Sequence, residues 1–412
     1  MPTRKNALVL FLLVFQAFSV SAQSQSETAQ TATDMVTEGE VSLAFRYRYE
    51  YVDQDSFDRN ARASTLKSRL TFKSTQYRGL SFLAEVDNVS YIGDDDFNST
   101  DNGNTNYPTV ADPKGTELNQ AWLKYSWQEL SGIYGRQRIH HGNQRFVGGV
   151  GWRQNEQTFD GFRAQWQGRN GLIVDYSYVY NVNRLFGPDD TDAQPANLHG
   201  DNHLLRLDYT IAEGHTLSGF VYLLDVEERR AYPPGLSVDN STDTFGLEYS
   251  GDIGPASLRA VYASQSDAAD SNLDYDADYY VLEGSAVFNP VTVKLGYEVL
   301  GGDNGVGFKT PYATLHAFQG WADKFLTTPG DGIEDLYLGL SGKLGGVMLG
   351  ATYHDFQAEN SSAEFGAEID LVATWPFNDL FSFQLHYADF SSDDKSRYDD
   401  TRKAWFTVNL TL

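Results

Sequence analysis

The chain has 412 residues, with 31 Lys and Arg against 56 Asp and Glu, and a formal net charge of −25. This acidity excludes a nucleic-acid binder, which presents a basic footprint. The absence of cysteine excludes a disulfide-stapled scaffold and any thiolate metal centre. The length allows one large domain or two to three ordinary ones.

Arg4 and Lys5 precede the apolar run ALVLFLLVFQAF and the small-residue stretch SVSAQ. That order of charge, apolar run and cleavage site makes residues 1 to about 22 a secretory signal, too short in its apolar part to span a membrane comfortably. Its removal takes away two cations, so the mature charge moves from −25 to −27. Residues 23–39 are Ser, Thr and Gln rich without periodicity, which predicts a flexible periplasmic lead-in. No later segment offers the unbroken apolar run that a spanning helix requires, and mean hydropathy is −0.43. A β-barrel escapes that criterion, because its strands alternate and its lumen face is polar.

From residue 40 the pattern changes to a period of two. In VSLAFRYRYEYV, Val41, Leu43, Phe45, Tyr47, Tyr49 and Tyr51 share one parity, and Ser42, Ala44, Arg46, Arg48 and Glu50 the other. Such alternation places one apolar and one charged face on a strand. Comparable segments follow at 172–182, 203–211, 244–251, 290–300, 368–375 and 380–390, and eighteen strands are predicted in all, the last being RKAWFTVNLTL. The connections alternate in length. Long polar stretches fall at 53–61, 93–116, 140–156, 183–200, 229–240, 267–274, 302–333, 358–362 and 391–400. Tight turns fall between them, as in QYRG at 76–79, NP at 289–290 and PFND at 376–379. Long loops at one rim, short turns at the other and an even strand count predict an all-β fold over 40–412. It is a closed antiparallel transmembrane barrel of about eighteen strands in a bacterial outer membrane. The last strand should pair with the first, leaving no edge in lipid. Tyr49, Tyr51, Trp127, Trp166, Tyr180, Trp375 and Tyr387 stand near strand ends and are candidates for the aromatic girdles.

Parity then assigns the lumen. Predicted inward cations are Arg46, Arg48, Lys67, Arg69, Lys124, Arg136, Arg138, Arg163, Arg206, Arg259 and Lys294. The predicted inward anions are Glu50, Glu85, Asp87, Asp175, Asp208, Glu248, Glu283, Glu298, Glu368 and Asp370. The totals nearly balance, but eight of the cations and only three of the anions lie on the first six strands. An arginine-rich stripe on strands one, two, five and six would favour anions, and guanidinium forks suit a carboxylate such as a uronate. The alternative is a wall whose charges pair across strands and merely keep the lumen wet.

Two stretches carry a resemblance beyond architecture. YGRQRIHHGNQRFVGGVGWRQNEQTFDGFRA, 134–164, and TPYATLHAFQGWADKFLTTPGDGIEDLYLG, 310–339, resemble the outer-membrane alginate-export family, the first through its GRQ-R, RFVG and GWRQNEQTFD runs. The resemblance implies an eighteen-stranded, arginine-lined diffusion pore for an acidic polysaccharide such as alginate, working as a monomer. Arg136, Arg138, Arg145, Arg153 and Arg163 lie within the matching stretch and are the residues it carries over. The family's exporter proper has a long periplasmic segment before its seventeenth strand, where this chain has only PFND.

The loop at 140–156 is expected to fold inward as a constriction, with Arg145, Arg153, Asn155 and Glu156 polar and Gly148, Gly149 and Gly151 permitting tight bends. Residues 315–326 place Leu315, Phe318, Trp321, Ala322 and Phe325 on one helical face, which predicts a short helix at the barrel rim. No Gly-x-Ser-x-Gly elbow accompanies the eight histidines, so no catalytic residue, cofactor or metal is assigned. Adjacent His140 and His141 should point to opposite faces. The Asp-rich run at 94–104 has Ser99 and Thr105 where a calcium loop needs Gly and Glu. The expected partners are outer-membrane lipid and a polar, anionic or polysaccharide solute. A non-selective or sugar-uptake porin, and a closed structural or adhesion barrel, remain open at this point, as does the direction of transport.

Overall fold

The computed structural model describes residues 28–189, 194–227, 230–231 and 237–412. The signal segment, residues 23–27 and part of the 229–240 loop lie outside the described residues. The barrel strands in chain order are β1 (Glu40–Gln54), β2 (Ala61–Lys73), β3 (Leu80–Asp96), β4 (Gly115–Trp127), β5 (Leu130–Gln137) and β6 (Thr158–Gln167). Next come β7 (Leu172–Asn183), β8 (Asn197–Ala212), β9 (His215–Leu224), β10 (Thr242–Ile253), β11 (Ala256–Asp267) and β12 (Asp276–Phe288). The last six are β13 (Val291–Leu300), β14 (Ile333–Leu344), β15 (Val347–Gln357), β16 (Glu364–Pro376), β17 (Phe381–Ser392) and β18 (Thr401–Thr411).

Each strand pairs antiparallel with its chain neighbours, and β18 returns to β1 in a single eighteen-stranded sheet. The closing register sets Arg48 opposite Thr407 and Glu50 opposite Trp405. Leu43 and Leu412 exchange backbone hydrogen bonds of 3.2 and 2.8 Å, so pairing runs to the last residue. Closure satisfies every strand edge internally, the condition a spanning sheet must meet in hydrocarbon. The alternation read from sequence is the alternation of burial. On β18, Thr401, Lys403, Trp405 and Thr407 are buried while Arg402 and Phe406 are exposed. Loop lengths keep their parity. Two-residue turns such as 213–214 and 254–255 carry Gly214 and Gly254 at φ +75° and +62°, a left-handed geometry that glycine adopts freely.

Trp127, Trp166, Tyr180 and Trp375 are exposed on the outer face, and Tyr49, Tyr51 and Tyr387 are half-buried there. The tryptophans end strands beside the short turns; the tyrosines sit toward the long loops. No helix among the described residues is long and apolar enough to cross a membrane.

Three sequence expectations need correction. The lead-in is ordered from Thr28: Ala29 N donates to Gln76 O at 2.9 Å, and Thr75 N to Met35 O at 3.1 Å. A single helical turn, Asp34–Thr37, is held by Thr31 N to Asp34 Oδ2 at 2.7 Å and Asp34 N to Thr31 Oγ1 at 3.2 Å. Buried Met35 supplies the apolar anchor that the composition of the whole segment concealed.

The rim helix at 315–326 does not form. Only Leu315–Ala317 makes a 3-10 turn. Gln319, Gly320 and Asp323 then take φ values of +51°, +78° and +60°, which a helix cannot contain. The segment crosses the lumen instead of lying on the rim: Ala322 N donates to inward-facing Glu368 Oε1 at 2.7 Å.

The third correction concerns the interior. The extracellular half of the lumen is packed. Inward Phe220, Tyr222, Tyr279, Phe356 and Phe390 meet Phe146, Phe308, Tyr312 and Phe325 from the 138–157 and 301–332 connections in one apolar cluster. Each buried ring contributes about 2 kcal/mol. At least three long connections therefore fold inward where the sequence suggested one, since Asp112 and Pro113 of the β3–β4 connection also accept from Gln154 N and Asn155 Nδ2.

Candidate functional site

The 138–157 connection lies against β1, β2 and β3. Glu156 is its hub, accepting from Arg138 Nε at 2.6 Å, Arg69 Nη2 at 2.7 Å and Lys67 Nζ at 3.1 Å. Burial pushes the Glu156 carboxyl upward, but Arg138, Arg69 and Lys67 outweigh it and hold the group well below the usual range. Arg69 grips Asp87 in a fork at 2.7 and 2.6 Å, and Arg138 reaches Glu85 at 2.5 Å. Among the other expected site residues, Arg136 pairs with Asp160 at 2.8 Å and Arg163 with Asp175 at 2.8 Å. Arg145 meets Glu298 at 2.8 Å, and Arg153 meets Glu50 at 2.9 Å.

Seven of the ten expected residues thus carry a carboxylate partner, and the stripe is largely neutralised. Three do not. Arg46 Nη1 donates to Gly151 O at 2.8 Å, Nε donates to Gln154 at 3.0 Å and Nη2 bonds Arg153 O. Arg48 Nη1 donates to Trp152 O at 2.6 Å and its guanidinium lies 4.3 Å from the Trp152 ring. Lys124, half-buried in the wall, has no ion pair among the described residues. Arg136 follows outward-facing Tyr134, and only Gly135, at φ +119°, interrupts the alternation that would have turned Arg136 outward too. His140 is exposed and His141 is buried against Tyr222 Oη at 3.1 Å; both follow the end of β5 at Gln137, so strand alternation does not apply to them.

The opposite wall is acidic. Glu298 on β13 accepts from Gln319 Nε2 at 2.7 Å and Tyr279 Oη at 2.8 Å. Asp335 on β14 faces His354 at 2.9 Å. On β16, Glu368 takes the Ala322 N–H, and Asp370 the Trp321 N–H at 3.2 Å. Both of these loops dock on both signs of charge: in 138–157, Glu156 meets wall cations while Arg145 and Arg153 meet Glu298 and Glu50, and in 301–332, backbone N–H groups meet Glu368 and Asp370 while Asp323 meets Lys403. The loops also bind each other. Gly148 N donates to Tyr312 O at 2.8 Å, and Thr314 N to Gln144 O at 3.0 Å. Asp323 receives His316 Nδ1 at 2.6 Å, Lys403 Nζ at 2.6 Å and Arg153 Nη2 at 3.3 Å.

Glu156 as the hub, Asp323 and Lys403 were not anticipated as site residues. Lys403 was within reach, since it shares inward parity with Trp405 and Thr407. Nothing local to its loop marks Asp323. Among the described residues no group of three or more His, Asp or Glu is arranged to hold a metal ion. What the arrangement offers is a charged constriction between two interlocked loops, with Gly151 exposed beside Arg46 and open space where its Cβ would stand.

Comparison with known proteins agrees with this architecture. The barrel is similar to that of Pseudomonas aeruginosa OpdK with vanillate, with TM-score 0.69, 13% identity, and 92% of this chain and 99% of that one covered. It is similar to P. aeruginosa OccK9 (OpdG), with TM-score 0.69, 16% identity, and 92% and 100% covered. Acinetobacter baumannii OccAB4 gives TM-score 0.67 and 15% identity over 90% of this chain and 98% of that one. No curated protein sequence matches the chain. The sequence signature described as alginate export matches residues 38–312, which includes the 134–164 stretch and ends just inside the second. An eighteen-stranded channel of the bacterial outer membrane, this chain belongs to the alginate export family.

Proposed function

We propose that the channel passes polar, carboxylate-bearing solutes, acidic saccharides foremost, by passive diffusion, and that it works as a monomer after cleavage near Ala22. The supporting observation is the set of inward cations without a carboxylate partner, two at the constriction and one on the wall of β4. Arg46 and Arg48 are held only by neutral acceptors, and Lys124 faces the lumen without an ion pair among the described residues. Arg46 and Lys124 are half-buried, so their charge is left to act on whatever passes, while Arg48, buried beneath Trp152, acts through the loop it holds. OpdK, a barrel of similar shape, was crystallised with vanillate, itself a carboxylate. Arg69, Arg138, Arg145, Arg153, Arg163, Arg136 and Lys67 act in this reading chiefly through the loops and walls they hold in place. Catalysis forms no part of it.

Reversal potentials in planar bilayers under a KCl gradient test the reading. Anion preference is expected, reduced in the Arg46→Gln/Arg48→Gln double variant; cation preference in the native channel overturns it. The pairing of seven of the ten cations favours a second reading, a weakly selective porin, which predicts a reversal potential near zero that the double variant leaves in place.

A further inference from the structure

Asp323 stands at the contact of the 138–157 and 301–332 loops. Three side chains from three different elements converge on its carboxylate: Arg153 from the 138–157 loop at 3.3 Å, Lys403 from β18 at 2.6 Å, and His316 from its own loop at 2.6 Å. Arg153 has a second carboxylate in Glu50 at 2.9 Å. Lys403 has none: Asp323 is its one ion pair among the described residues, and Lys403 is 5% exposed. A buried ammonium without a counter-ion is strongly disfavoured, so this cradle requires an anion whichever molecule supplies it. The strap that delivers Asp323 is held against its backbone preferences, with Gln319 and Asp323 left-handed at φ +51° and +60°. It meets β16 through two backbone N–H groups, Ala322 N to Glu368 at 2.7 Å and Trp321 N to Asp370 at 3.2 Å. Beside the cradle, half-buried Trp321 stacks 6.4 Å from His316 and lies 5.0 Å from His386, a flat apolar face of the kind a pyranose ring covers.

We propose that Arg153, Lys403 and His316 form a carboxylate-binding subsite of the channel, which the protein's own Asp323 fills in this conformation. The inference deepens the anionic-solute reading and rests on it: a hydroxylated carboxylate, such as a uronate, displaces Asp323 from the cradle, and the strap gives way as it does so. The subsite is then a step on the permeation path, and Asp323 the internal ligand that keeps it neutral between solutes.

Block of KCl current by sodium glucuronate, with glucose as the uncharged control, tests the proposal. In Asp323→Ser the half-blocking glucuronate concentration should fall at least about tenfold below native, with glucose unchanged. Adding Lys403→Gln should return it to the native value. Equal glucuronate block in native and Asp323→Ser channels overturns the proposal, as does an equal shift for glucose. Heat-modifiable gel mobility reports whether the variant has closed its barrel. If Asp323→Ser does not, Lys403→Gln alone decides: glucuronate block weakened about threefold or more is expected, and an unchanged value overturns the subsite. The native reversal potential is read separately. A tenfold shift in a cation-preferring channel would leave the subsite standing without the anionic reading, and anion preference without a shift would remove the subsite alone.

Discussion

Arg138 and Glu156 stand eighteen positions apart and close on each other at 2.6 Å, tying the two ends of one inward loop against the β2–β3 wall. The loop is therefore a lasso: its stem is fixed by charge, and its tip, from Arg145 to Gln154, is left to meet the opposite side of the barrel. Glu156→Gln removes the hub anion from Lys67, Arg69 and Arg138. Breaking such a buried cluster costs about 3–5 kcal/mol, so the loop should become susceptible to protease in detergent. The constriction also gains positive charge, and the reversal potential should move toward anions.

Gly151 is exposed to the lumen beside Arg46, with nothing within 4 Å of its Cβ direction. Gly151→Trp should therefore fold normally and obstruct the path. Unitary conductance is expected to fall by about half or more with the thermal transition unchanged. An equal substitution at Gly148 should differ, because its Cβ would lie 2.3 Å from Thr314 Oγ1 and the loop contact itself would break.

Phe325 anchors the second loop among Phe356 at 4.7 Å, Tyr398 at 5.0 Å and Phe365 at 5.8 Å between ring centres. Phe325→Ala should destabilise the strap by about 3–5 kcal/mol, the usual cost of truncating a buried Phe. In single-channel records this should appear as frequent excursions to a higher conductance, absent from the native trace.

His316 gives a pH dependence with a definite sign. Burial pulls its pKa from the ordinary 6.5 to about 4, against the opposing pull of Asp323, while Arg153 and Lys403 add to the fall. An unfolded chain takes up that proton near pH 6.5 and the folded one only near 4. Stability should thus be constant above 6.5 and decline as pH falls through the interval, by about 3 kcal/mol at its lower end. The Asp323 carboxylate, held down by its cations against the upward push of burial, keeps its contribution throughout that interval. Urea unfolding midpoints between pH 7 and 4 should show the decline in the native protein and a flatter profile in His316→Gln.

The barrel was legible because each strand repeats one physical demand, apolar toward lipid and polar toward the lumen, at a period of two. The same parity points Arg46 and Arg48 inward, where they meet the 138–157 loop, and separates the buried from the exposed residues of β18. Parity does not say what faces a residue across the lumen, so Arg69 and Arg138 read as a bare stripe although Glu156 neutralises both. The helix expected at 315–326 failed for a different reason. Its apolar spacing is real, but Ala322 and Phe325 are buried against inward wall residues, and three left-handed residues lay the segment there. Asp323 was invisible because two of its three partners, Lys403 and Arg153, come from β18 and a loop far away in sequence.

The 138–157 and 301–332 loops both join strands that neighbour each other in the sheet, and both spring from the same rim. Each is thus a side branch of a local hairpin, absent from the ladder that zips the cylinder shut. Grafting such a branch from another eighteen-stranded channel onto β5–β6 or β13–β14 should exchange what passes without disturbing assembly, which makes the sieve a replaceable cartridge in a standard housing.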